Sequence, residues 1–326
     1  MNQTPLNFGR NPIRDSISRI RFAPNTNNLL ISSWDSTLRL YNMDSSKLRV
    51  EASIKAAILD CCFENESAAF SAASDGSVLR HDLLSGNHGQ IGSHDDLATC
   101  VEYSDEKSLL VTAGWDKKIK FWDARSTSSV GCLNNLIEEA ESMSVSGFHL
   151  MIAVGTSVQT HDLRILRSVQ TKESFMDVRI KCLSPIIDSA GFAVGSFDGR
   201  VALEYFSQSN SGNRGYAFRC HPRGKEGRQH LVTVNDIIFN PAISGIFVTG
   251  DNEGYATAWD ARSKKRLFEL PRCSNSIVSL SYNHNGSLLA VASSYSYQDA
   301  NARDEMPQIF MHEMNDLPNG SFSAGR

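Results

Sequence analysis

A degenerate repeat of about 40 residues is the feature of this 326-residue chain that most restricts its fold. Each copy has small residues, an acidic residue at a turn, an alternating strand-like run, and then an aromatic residue, His or Glu, usually followed by Asp or Asn. The turn acids Asp35, Asp75 and Asp116 are spaced by 40 and 41 residues, and such periods are typical of repeat architectures. The five clearest copies are "ISSWDSTLRLYN" (31–42), "SAASDGSVLRHD" (71–82), "TAGWDKKIKFWD" (112–123), "VGSFDGRVALEY" (194–205) and "TGDNEGYATAWD" (249–260).

The spacing of the remaining turns leaves room for two further copies. The 82 residues from Asp116 to Asp198 include "IAVGTSVQTHDL" (152–163), and residues 288–314 form a last copy with a long polar loop in place of the tight turn. Each copy also has an earlier alternating run that ends in a turn, such as "ATCVEYS" or "IVSLSYN". We therefore predict an all-β fold, a seven-bladed WD-repeat β-propeller formed by residues 1–314 and followed by a short disordered tail at 315–326.

Composition and charge narrow the possible functions. The net charge of −4 argues against a general nucleic-acid surface, so we expect no direct DNA binding. No stretch approaches the roughly 18 consecutive apolar residues of a membrane span, and no signal-peptide core begins the chain, so we expect no membrane partner. The seven cysteines form no C-x-x-C pattern, and we predict that they are reduced and buried.

Catalytic motifs are absent from the sequence. It has no G-x-x-x-x-G-K-[ST], no H-E-x-x-H and no G-x-S-x-G. Most histidines occupy repeat positions where propellers use His to tie blades together, and we predict a structural pair of His94 with Asp95. We therefore expect no enzyme activity, no metal site and no cofactor.

Two arginines are predicted to meet on the fifth blade. Arg200 follows the Asp198–Gly199 turn, and Arg219 lies in "YAFRCH", which has the pattern of the next antiparallel strand. This places both at the face that we call the top, which carries the turns between second and third strands and the connections between blades. Like charges across a strand pair are unfavourable unless an anion binds, and arginine suits carboxylate or phosphate. Alternatively, each arginine covers apolar surface or pairs with Glu204 or Asp198.

Aromatic residues precede the turn acid in three of the five clearest copies. They are Trp34, Trp115 and Phe197, and all three are predicted to lie in loops of the top face. One interpretation is that they pack between neighbouring blades. The other is that they anchor a bound peptide beside the arginine pair, since peptide recognition combines apolar anchors with a charge clamp.

At these residues the chain resembles a known family. "SSWDSTLRLYN", "VTAGWDKKIKFWD", "GSFDGRVALEYF", "YAFRCH" and "LLAVASSYSY" are similar to the WD-repeat family of the spindle-assembly checkpoint, the third "budding uninhibited by benzimidazoles" family. The resemblance covers essentially the whole chain. A related propeller, which acts in messenger-RNA export at the nuclear pore, shares the G-R-V-A segment and the F-[KR]-C-H segment.

The resemblance implies a non-catalytic adaptor. Such a propeller binds a Glu-containing segment of a checkpoint kinase or kinase-like partner across its top face, and docks on phosphothreonine motifs of a kinetochore scaffold. Arg200 and Arg219 match the family's basic pair, Trp34 its aromatic contact, and Arg179 in "DVRIKCLS" another basic position. Many relatives carry Lys where Arg219 stands, and Ile-Glu-Gly where this chain has Phe197-Asp198-Gly199.

The resemblance also implies a cellular setting. We expect a monomeric propeller in hetero-complexes, including a checkpoint complex that inhibits a ubiquitin ligase. Its expected location is the nucleus, the kinetochore and centromere in mitosis, and also the cytoplasm. The alternative function is a nuclear-pore adaptor of messenger-RNA export on the same fold, and the slightly acidic composition does not favour it because that function needs a basic groove for RNA.

Overall fold

The computed structural model describes residues 5–6, 8, 11–125, 128–134, 136–165, 169–174, 176–187, 191–206, 215–220, 232–295 and 305–314. These residues contain 27 strands in seven antiparallel sheets, each of which uses its strands in chain order. The prediction of a seven-bladed WD-repeat β-propeller is confirmed. The predicted tail at 315–326 and the segments 207–214 and 222–230 lie outside the described residues.

The strands follow one another blade by blade. They are β1 (Ile17–Phe22), β2 (Asn28–Ser33), β3 (Thr37–Asn42), β4 (Lys47–Ser53); β5 (Ile58–Asn65), β6 (Ala68–Ala73), β7 (Ser77–Asp82), β8 (His88–Ser93); β9 (Ala98–Ser104), β10 (Leu109–Gly114), β11 (Ile119–Asp123), β12 (Ser128–Leu133); β13 (Ala140–Ser146), β14 (His149–Val154), β15 (Ser157–Asp162), β16 (Val169–Glu173); β17 (Ile180–Pro185), β18 (Gly191–Ser196), β19 (Arg200–Tyr205), β20 (Tyr216–Arg219); β21 (Val234–Phe239), β22 (Ile246–Asp251), β23 (Ala256–Asp260), β24 (Lys265–Glu269); and β25 (Ile277–Tyr282), β26 (Leu288–Ser293), β27 (Gln308–Glu313).

Burial explains the sequence pattern of the blades. Most second strands are buried along their whole length, as β2, β10 and β22 show, because each is covered by sheets on both faces. The outermost strand β4 instead alternates mostly between exposed and half-buried residues. The apolar runs near the repeat turns are therefore the second strands, and the weakly patterned segments between repeats are the outer ones.

The ring closes at the seventh blade. The first strands of consecutive blades contact one another, and β25 contacts β1. The described part of this blade has three strands, and Pro5 forms an antiparallel bridge with Phe310 on the outermost one. The Leu6 N–H also donates to the Ile309 carbonyl at 2.7 Å. The start of the chain thus covers the edge of the last sheet, which protects unpaired backbone groups.

The inner wall of the ring holds an ion network in which the carboxylates are buried and the arginine is partly exposed. Arg19 Nε lies 3.0 Å from Asp60 Oδ1, and its Nη1 lies 3.6 Å from Asp236 Oδ2. Each carboxylate also accepts a backbone N–H of the next blade: Asp60 from Val101 at 3.0 Å, and Asp236 from Leu280 at 2.7 Å. Burial lowers the pKa of Arg19, but the charges of Asp60 and Asp236 outweigh it, so the net shift is upward and the guanidinium stays charged.

A second arginine lines the same channel. Arg21 Nη2 lies 2.6 Å from Glu102 Oε1, and burial raises the pKa of Glu102 although Arg21 lowers it. Both residues border a cavity of about 280 Å³ whose remaining lining is largely apolar. Together the channel holds two arginines and three carboxylates.

The predicted pairing of His94 with Asp95 is wrong. His94 Nδ1 contacts Asp116 Oδ1 at 2.9 Å, and its Nε2 contacts Thr112 Oγ1 at 2.8 Å. The same hydroxyl accepts a hydrogen bond from Trp122 Nε1 at 2.9 Å. The histidine therefore links the connection that precedes blade 3 to the second and third strands of that blade. Its imidazole bonds to the turn acid Asp116 and not to its sequence neighbour Asp95.

The cysteines agree with the prediction at six of seven positions. All seven are free thiols, and Cys132 is exposed. Burial raises the pKa of Cys61 and of Cys100 to about 12, which keeps these thiols protonated and unreactive. The buried thiols are Cys61, Cys62, Cys100, Cys182, Cys220 and Cys273.

Candidate functional site

The top of blade 5 brings the two predicted arginines together. Gly199 adopts a φ of +81° in the turn between β18 and β19, a conformation that glycine adopts readily. Arg200 begins β19, and Arg219 ends β20 as its direct cross-strand partner. The Cys220 N–H donates to the Gly199 carbonyl at 2.9 Å and closes the hairpin at this edge. The prediction that the two arginines are neighbours is confirmed.

Both arginines share a single carboxylate. Arg200 Nε lies 2.8 Å from Asp198 Oδ2 and 3.0 Å from Oδ1. Arg219 Nη2 lies 3.4 Å from the same Oδ2, and its Nη1 donates to the Asp198 carbonyl at 2.6 Å. The pairing with Asp198 that the sequence left open is therefore present. Two positive charges are balanced by one negative charge, so the cluster carries a formal charge of +1.

The turn of blade 5 differs from those of blades 1, 2 and 3 in how it uses its acid. In these three blades the carboxylate accepts the backbone N–H two residues further along, in the pairs Asp35–Thr37, Asp75–Ser77 and Asp116–Lys118. In blade 5 the Ser196 hydroxyl accepts the N–H of Arg200 at 3.1 Å and donates to Asp198 at 2.6 Å. In this turn a serine hydroxyl thus accepts the backbone N–H in place of the carboxylate. Both carboxylate oxygens of Asp198 can therefore contact the arginine side chains.

Exposure allows an outside anion to reach this pair. The side chain of Arg200 is 29% exposed and that of Arg219 is 36% exposed, whereas Asp198 is 18% exposed. Burial raises the pKa of Asp198, but hydrogen bonds from Ser196 and Arg200 and the charges of both arginines outweigh it, so the pKa lies below its usual range. The carboxylate is therefore ionised, and the guanidinium groups still face solvent.

Arg179 belongs to a second cationic pair on the same blade. Its Nη2 lies 2.5 Å from Glu141 Oε1 of blade 4, and Lys181 Nζ lies 3.9 Å from Glu141 Oε2. The Lys181 ammonium also sits 5.5 Å from the centroid of the Phe197 ring, a cation–π contact. The Phe197 N–H donates to the Arg179 carbonyl at 3.3 Å. Four of the six predicted site residues, Arg179, Phe197, Arg200 and Arg219, thus lie on the top of blade 5.

Trp34 lies at the equivalent turn of blade 1, apart from the arginines. Its ring packs edge-on against Tyr295 of blade 7, with centroids 6.3 Å apart. The hydroxyl of Tyr295 donates to the Asp15 carboxylate, and the Trp34 N–H donates to the Ser16 carbonyl. Trp34 is half-buried, so it packs between blades and keeps part of its surface accessible to solvent.

Trp115 lies at the equivalent turn of blade 3 and is the more open of the two tryptophans. It is 50% exposed, and only a few large apolar residues of the described chain are as open. Its backbone N–H donates to the Leu97 carbonyl at 2.9 Å, which fixes the loop and leaves the ring at the surface. The three aromatics therefore stand on alternate blades, 1, 3 and 5, and do not form one cluster.

Lys181 and Glu141 are site residues that the sequence reasoning missed. The alternation in "VRIKC" places Arg179 and Lys181 on the same side of the chain, which is a usable indication for Lys181. No such indication exists for Glu141, because it comes from the neighbouring blade, 38 residues earlier.

The described residues contain no group of three or more His, Cys, Asp or Glu side chains placed to hold a metal ion. In the same residues no helix has the length and apolar character needed to cross a bilayer.

Comparison with known proteins agrees with the fold and identifies the family. A profile described as "WD domain, G-beta repeat" matches residues 9–42 and 87–123. The solved structure titled "Structure of U3-55K" superposes with a TM-score of 0.83 over 96% of this chain and 98% of that one, at 15% identity, which supports the fold alone.

Two curated relatives bear on function. "mRNA export factor GLE2" of Chaetomium thermophilum is 30% identical and covers 92% of this chain and 88% of its own length. "Mitotic checkpoint protein BUB3.3" of Arabidopsis thaliana is 48% identical over 305 residues, 93% of this chain and 97% of that protein. The chain therefore belongs to the BUB3 family of mitotic checkpoint proteins, non-catalytic propellers of WD repeats.

Proposed function

We propose that this protein is a checkpoint adaptor whose top face reads acidic and phosphorylated peptide segments. It binds a Glu-containing segment of a checkpoint kinase or kinase-like protein, and phosphothreonine motifs of a kinetochore scaffold. The observation that carries the proposal is the pair Arg200 and Arg219, which share one carboxylate and remain partly exposed.

The chemistry of phosphothreonine suits this pair. Phosphorylation adds a charge of about −1.5 to −2 and three acceptor oxygens, which can take one to three charge-assisted hydrogen bonds from two guanidinium groups. The formal charge of +1 left after pairing with Asp198 attracts such an anion. Because the pair is partly exposed, its affinity for phosphate falls as the salt concentration rises.

The remaining predicted residues contribute anchors to the same face. Arg179 offers a further cation beside Phe197 on blade 5. Trp34 and Trp115 offer aromatic surface on blades 1 and 3, so a partner segment that crosses the ring meets an apolar contact at each. An extended or helical segment that orders on binding loses conformational entropy, which favours reversible association.

The proposed setting follows from the same function. The protein acts as a monomeric propeller in hetero-complexes at the kinetochore and centromere during mitosis, and is otherwise nuclear and cytoplasmic. A checkpoint complex that inhibits a ubiquitin ligase is a further partner. Direct binding of DNA or membranes has no part in the proposal.

A second candidate is an adaptor of messenger-RNA export. The 30% identity with an mRNA export factor over most of the chain favours it, because the two proteins share the whole propeller. The identity of 48% with a mitotic checkpoint protein favours the first candidate.

The test is fluorescence-anisotropy binding of a threonine-phosphorylated scaffold peptide and its unphosphorylated twin, with and without the Glu-containing kinase segment. We expect phosphate-dependent binding by the wild type and its loss in Arg200→Ala. Arg266→Ala is the matched control, because Arg266 is 60% exposed, lies on the outer strand of blade 6 and pairs with Glu269 at 3.2 Å. It should bind like the wild type.

Two results would decide against the proposal. Equal, weak binding of both peptides would show that Arg200 does not bind the phosphate group. It would favour the second candidate, an adaptor of messenger-RNA export. Equal losses in Arg200→Ala and in Arg266→Ala would show that the peptide responds to overall charge. Circular dichroism of each variant checks that the ring remains folded.

A further inference from the structure

We propose that the channel contains a second binding site, which takes a primary ammonium group on an unbranched aliphatic stem and pairs the ammonium with Glu102. The site lies towards the bottom, the face opposite the top, which carries the turns between the first and second strands of each blade. It shares no residue with the arginine pair of blade 5, so this inference goes beyond the proposed function.

The site is the cavity of about 280 Å³ at the bottom end of the channel. One wall is apolar and comes from the ends of the first strands of blades 4 to 6 and the turns after them. Its members include Val145, Ile186, Ile187, Ile238 and Pro241, none of which is fully buried. The volume lies below the roughly 300–1,000 Å³ of pockets for drug-sized ligands, so the cavity suits one side chain or one small molecule.

The charged groups of the channel have one negative charge in excess. Arg19 and Arg21 contribute two positive charges, and Asp60, Asp236 and Glu102 contribute three negative charges, so the formal charge of these five side chains is −1. Partly buried charges are screened less than exposed ones. The channel therefore attracts a small cation and repels a small anion.

Glu102 is the carboxylate of this network that can still accept a hydrogen bond. Asp60 and Asp236 accept a protein hydrogen bond at each of their oxygens. Glu102 Oε1 accepts one from Arg21 Nη2 at 2.6 Å, and within the described part of the chain no group donates to Oε2. The Glu102 side chain is 13% exposed, so a ligand in the cavity can reach it. An additional donor at Oε2 would complete the hydrogen bonding of the network.

These two features of the cavity define the ligand. Glu102 and the apolar wall line the same space, so a ligand gains from both when it joins a cationic end to an apolar stem. An ammonium is a compact charge that can bond to one oxygen, whereas the planar guanidinium prefers two, and Arg21 already occupies Oε1. A free aliphatic amine and the lysine side chain of a partner protein both carry this group.

A purely structural role for Glu102 makes a different prediction. If Glu102 serves only to neutralise Arg21, and water hydrates its second oxygen, the channel does not distinguish a cationic from a neutral aliphatic molecule of the same length. If Glu102 is a binding residue, the cationic molecule binds more tightly and the difference depends on the Glu102 charge.

The experiment measures the binding of butylammonium, 1-butanol and butanoate to the full chain by titration calorimetry at pH 8, where carboxylates are ionised and the amine is charged. We expect butylammonium to bind about tenfold tighter than 1-butanol, the factor expected of one hydrogen bond to a charged group. Butanoate should bind most weakly. Arg200→Ala should behave like the wild type, which separates this site from the peptide site.

Three variants test the site. Glu102→Gln keeps an acceptor for Arg21 and should bring the ammonium-to-alcohol ratio to about one. Glu106→Gln makes the same change at an exposed position of the same blade and should keep the wild-type ratio. Val145→Phe narrows the cavity without a change of charge and should weaken both ligands. Circular dichroism checks the fold, and Val145→Phe decides the question if Glu102→Gln does not fold.

A lysine derivative identifies the source of the ammonium. If Nα-acetyl-lysine methylamide binds as tightly as butylammonium, the channel accepts a lysine side chain of a partner; if it binds at least tenfold more weakly, only a free amine enters. Both results support the site. A ratio below about two in the wild type, a ratio unchanged in Glu102→Gln, or affinities unchanged in Val145→Phe would overturn it.

Discussion

Two regions of this propeller that contain arginine–carboxylate pairs have opposite charge balance. In the channel, two arginines face three carboxylates, and Asp60 and Asp236 also accept backbone N–H groups from the next blade. On the top of blade 5, four cations face two carboxylates, and all four cations are partly exposed.

The channel and the top of blade 5 differ in hydrogen bonding and in net charge. Every carboxylate oxygen of Asp60 and Asp236 has a protein donor, so these two carboxylates are fully hydrogen-bonded within the protein. The blade 5 cations exceed their carboxylates by two formal charges. We infer that the ion pairs of the channel hold neighbouring blades together, and that the cations on the top of blade 5 are placed to bind an anion.

Removing a channel carboxylate should have the largest effect. Asp60→Ala leaves Arg19 with the longer contact to Asp236 and leaves the Val101 N–H without its acceptor. Breaking a buried ion pair by removing one partner costs about 3–5 kcal/mol. We expect a decrease of that size in the free energy of unfolding, measured by urea denaturation. Phosphopeptide affinity of the folded protein should not change.

Asp60→Asn and Asp44→Ala serve as controls for this prediction. The amide keeps an acceptor for Val101 and loses only the charge, so its effect should be smaller. Asp44 is an exposed acid that accepts a hydrogen bond from Asn27 at 2.8 Å, and its removal should change stability little. If Asp60→Ala were as stable as Asp44→Ala, the channel network would not be what holds the blades.

The channel also shows how far the sequence predicts this fold. Repeat spacing predicted the blades and the Arg200–Arg219 register because strand hairpins are local and their pairing follows from the turn. The pairing of His94 was wrong because its partner Asp116 lies 22 residues away across a connection, where no periodic pattern points to it. For the same reason, the contact of Arg19 with Asp236 could not be predicted from two positions 217 residues apart.

The buried histidines of the blades should make the stability of the interior depend on pH. His81 and His161 are both 1% exposed. Burial lowers the pKa of His81 to about 3, with a smaller contribution from the charge of His88, and burial lowers the pKa of His161 to about 4. The unfolded chain therefore takes up protons first, near pH 6.5.

The contribution of these two histidines to the free energy of unfolding should accordingly be complete above about pH 6.5 and fall as the pH decreases. Between pH 7.5 and pH 5 each of these histidines lowers the free energy of unfolding by about 2 kcal/mol, because only the unfolded state is protonated there. Urea denaturation at a series of pH values measures this. The matched variant combines Ser71→Thr with His81→Trp and copies the Trp–Thr pairs of blades 3 and 6. Its stability should fall about 2 kcal/mol less over this range, and an unchanged pH dependence would contradict the role of His81.

The candidate site was partly predictable for a similar reason. Arg200 and Arg219 were found because their residue types and strand positions are visible in the sequence, whereas Arg179 was identified only through the family resemblance. The pairing of Asp198 with both arginines could not be predicted, since it depends on the Ser196 hydroxyl accepting the backbone N–H that a carboxylate accepts in other turns. Glu141 was missed because only the docking of blade 4 on blade 5 brings it to Arg179.

Removing a blade 5 arginine should have the smallest effect on stability and a clear effect on binding. Arg219 is 36% exposed, and Asp198 keeps its two closer contacts with Arg200 when Arg219→Ala is made. Exposed pairs contribute up to about 1 kcal/mol, so urea denaturation should show a loss below that value. The phosphopeptide should nevertheless bind at least tenfold more weakly, since charge-assisted hydrogen bonds to phosphate are worth more than the lost internal pair. A loss of stability as large as that of Asp60→Ala would mean that the arginine pair holds the hairpin together. Arg219 would then be structural, and the contrast between the channel, where carboxylates exceed arginines, and the top of blade 5, where cations exceed carboxylates, would not reflect a difference in role.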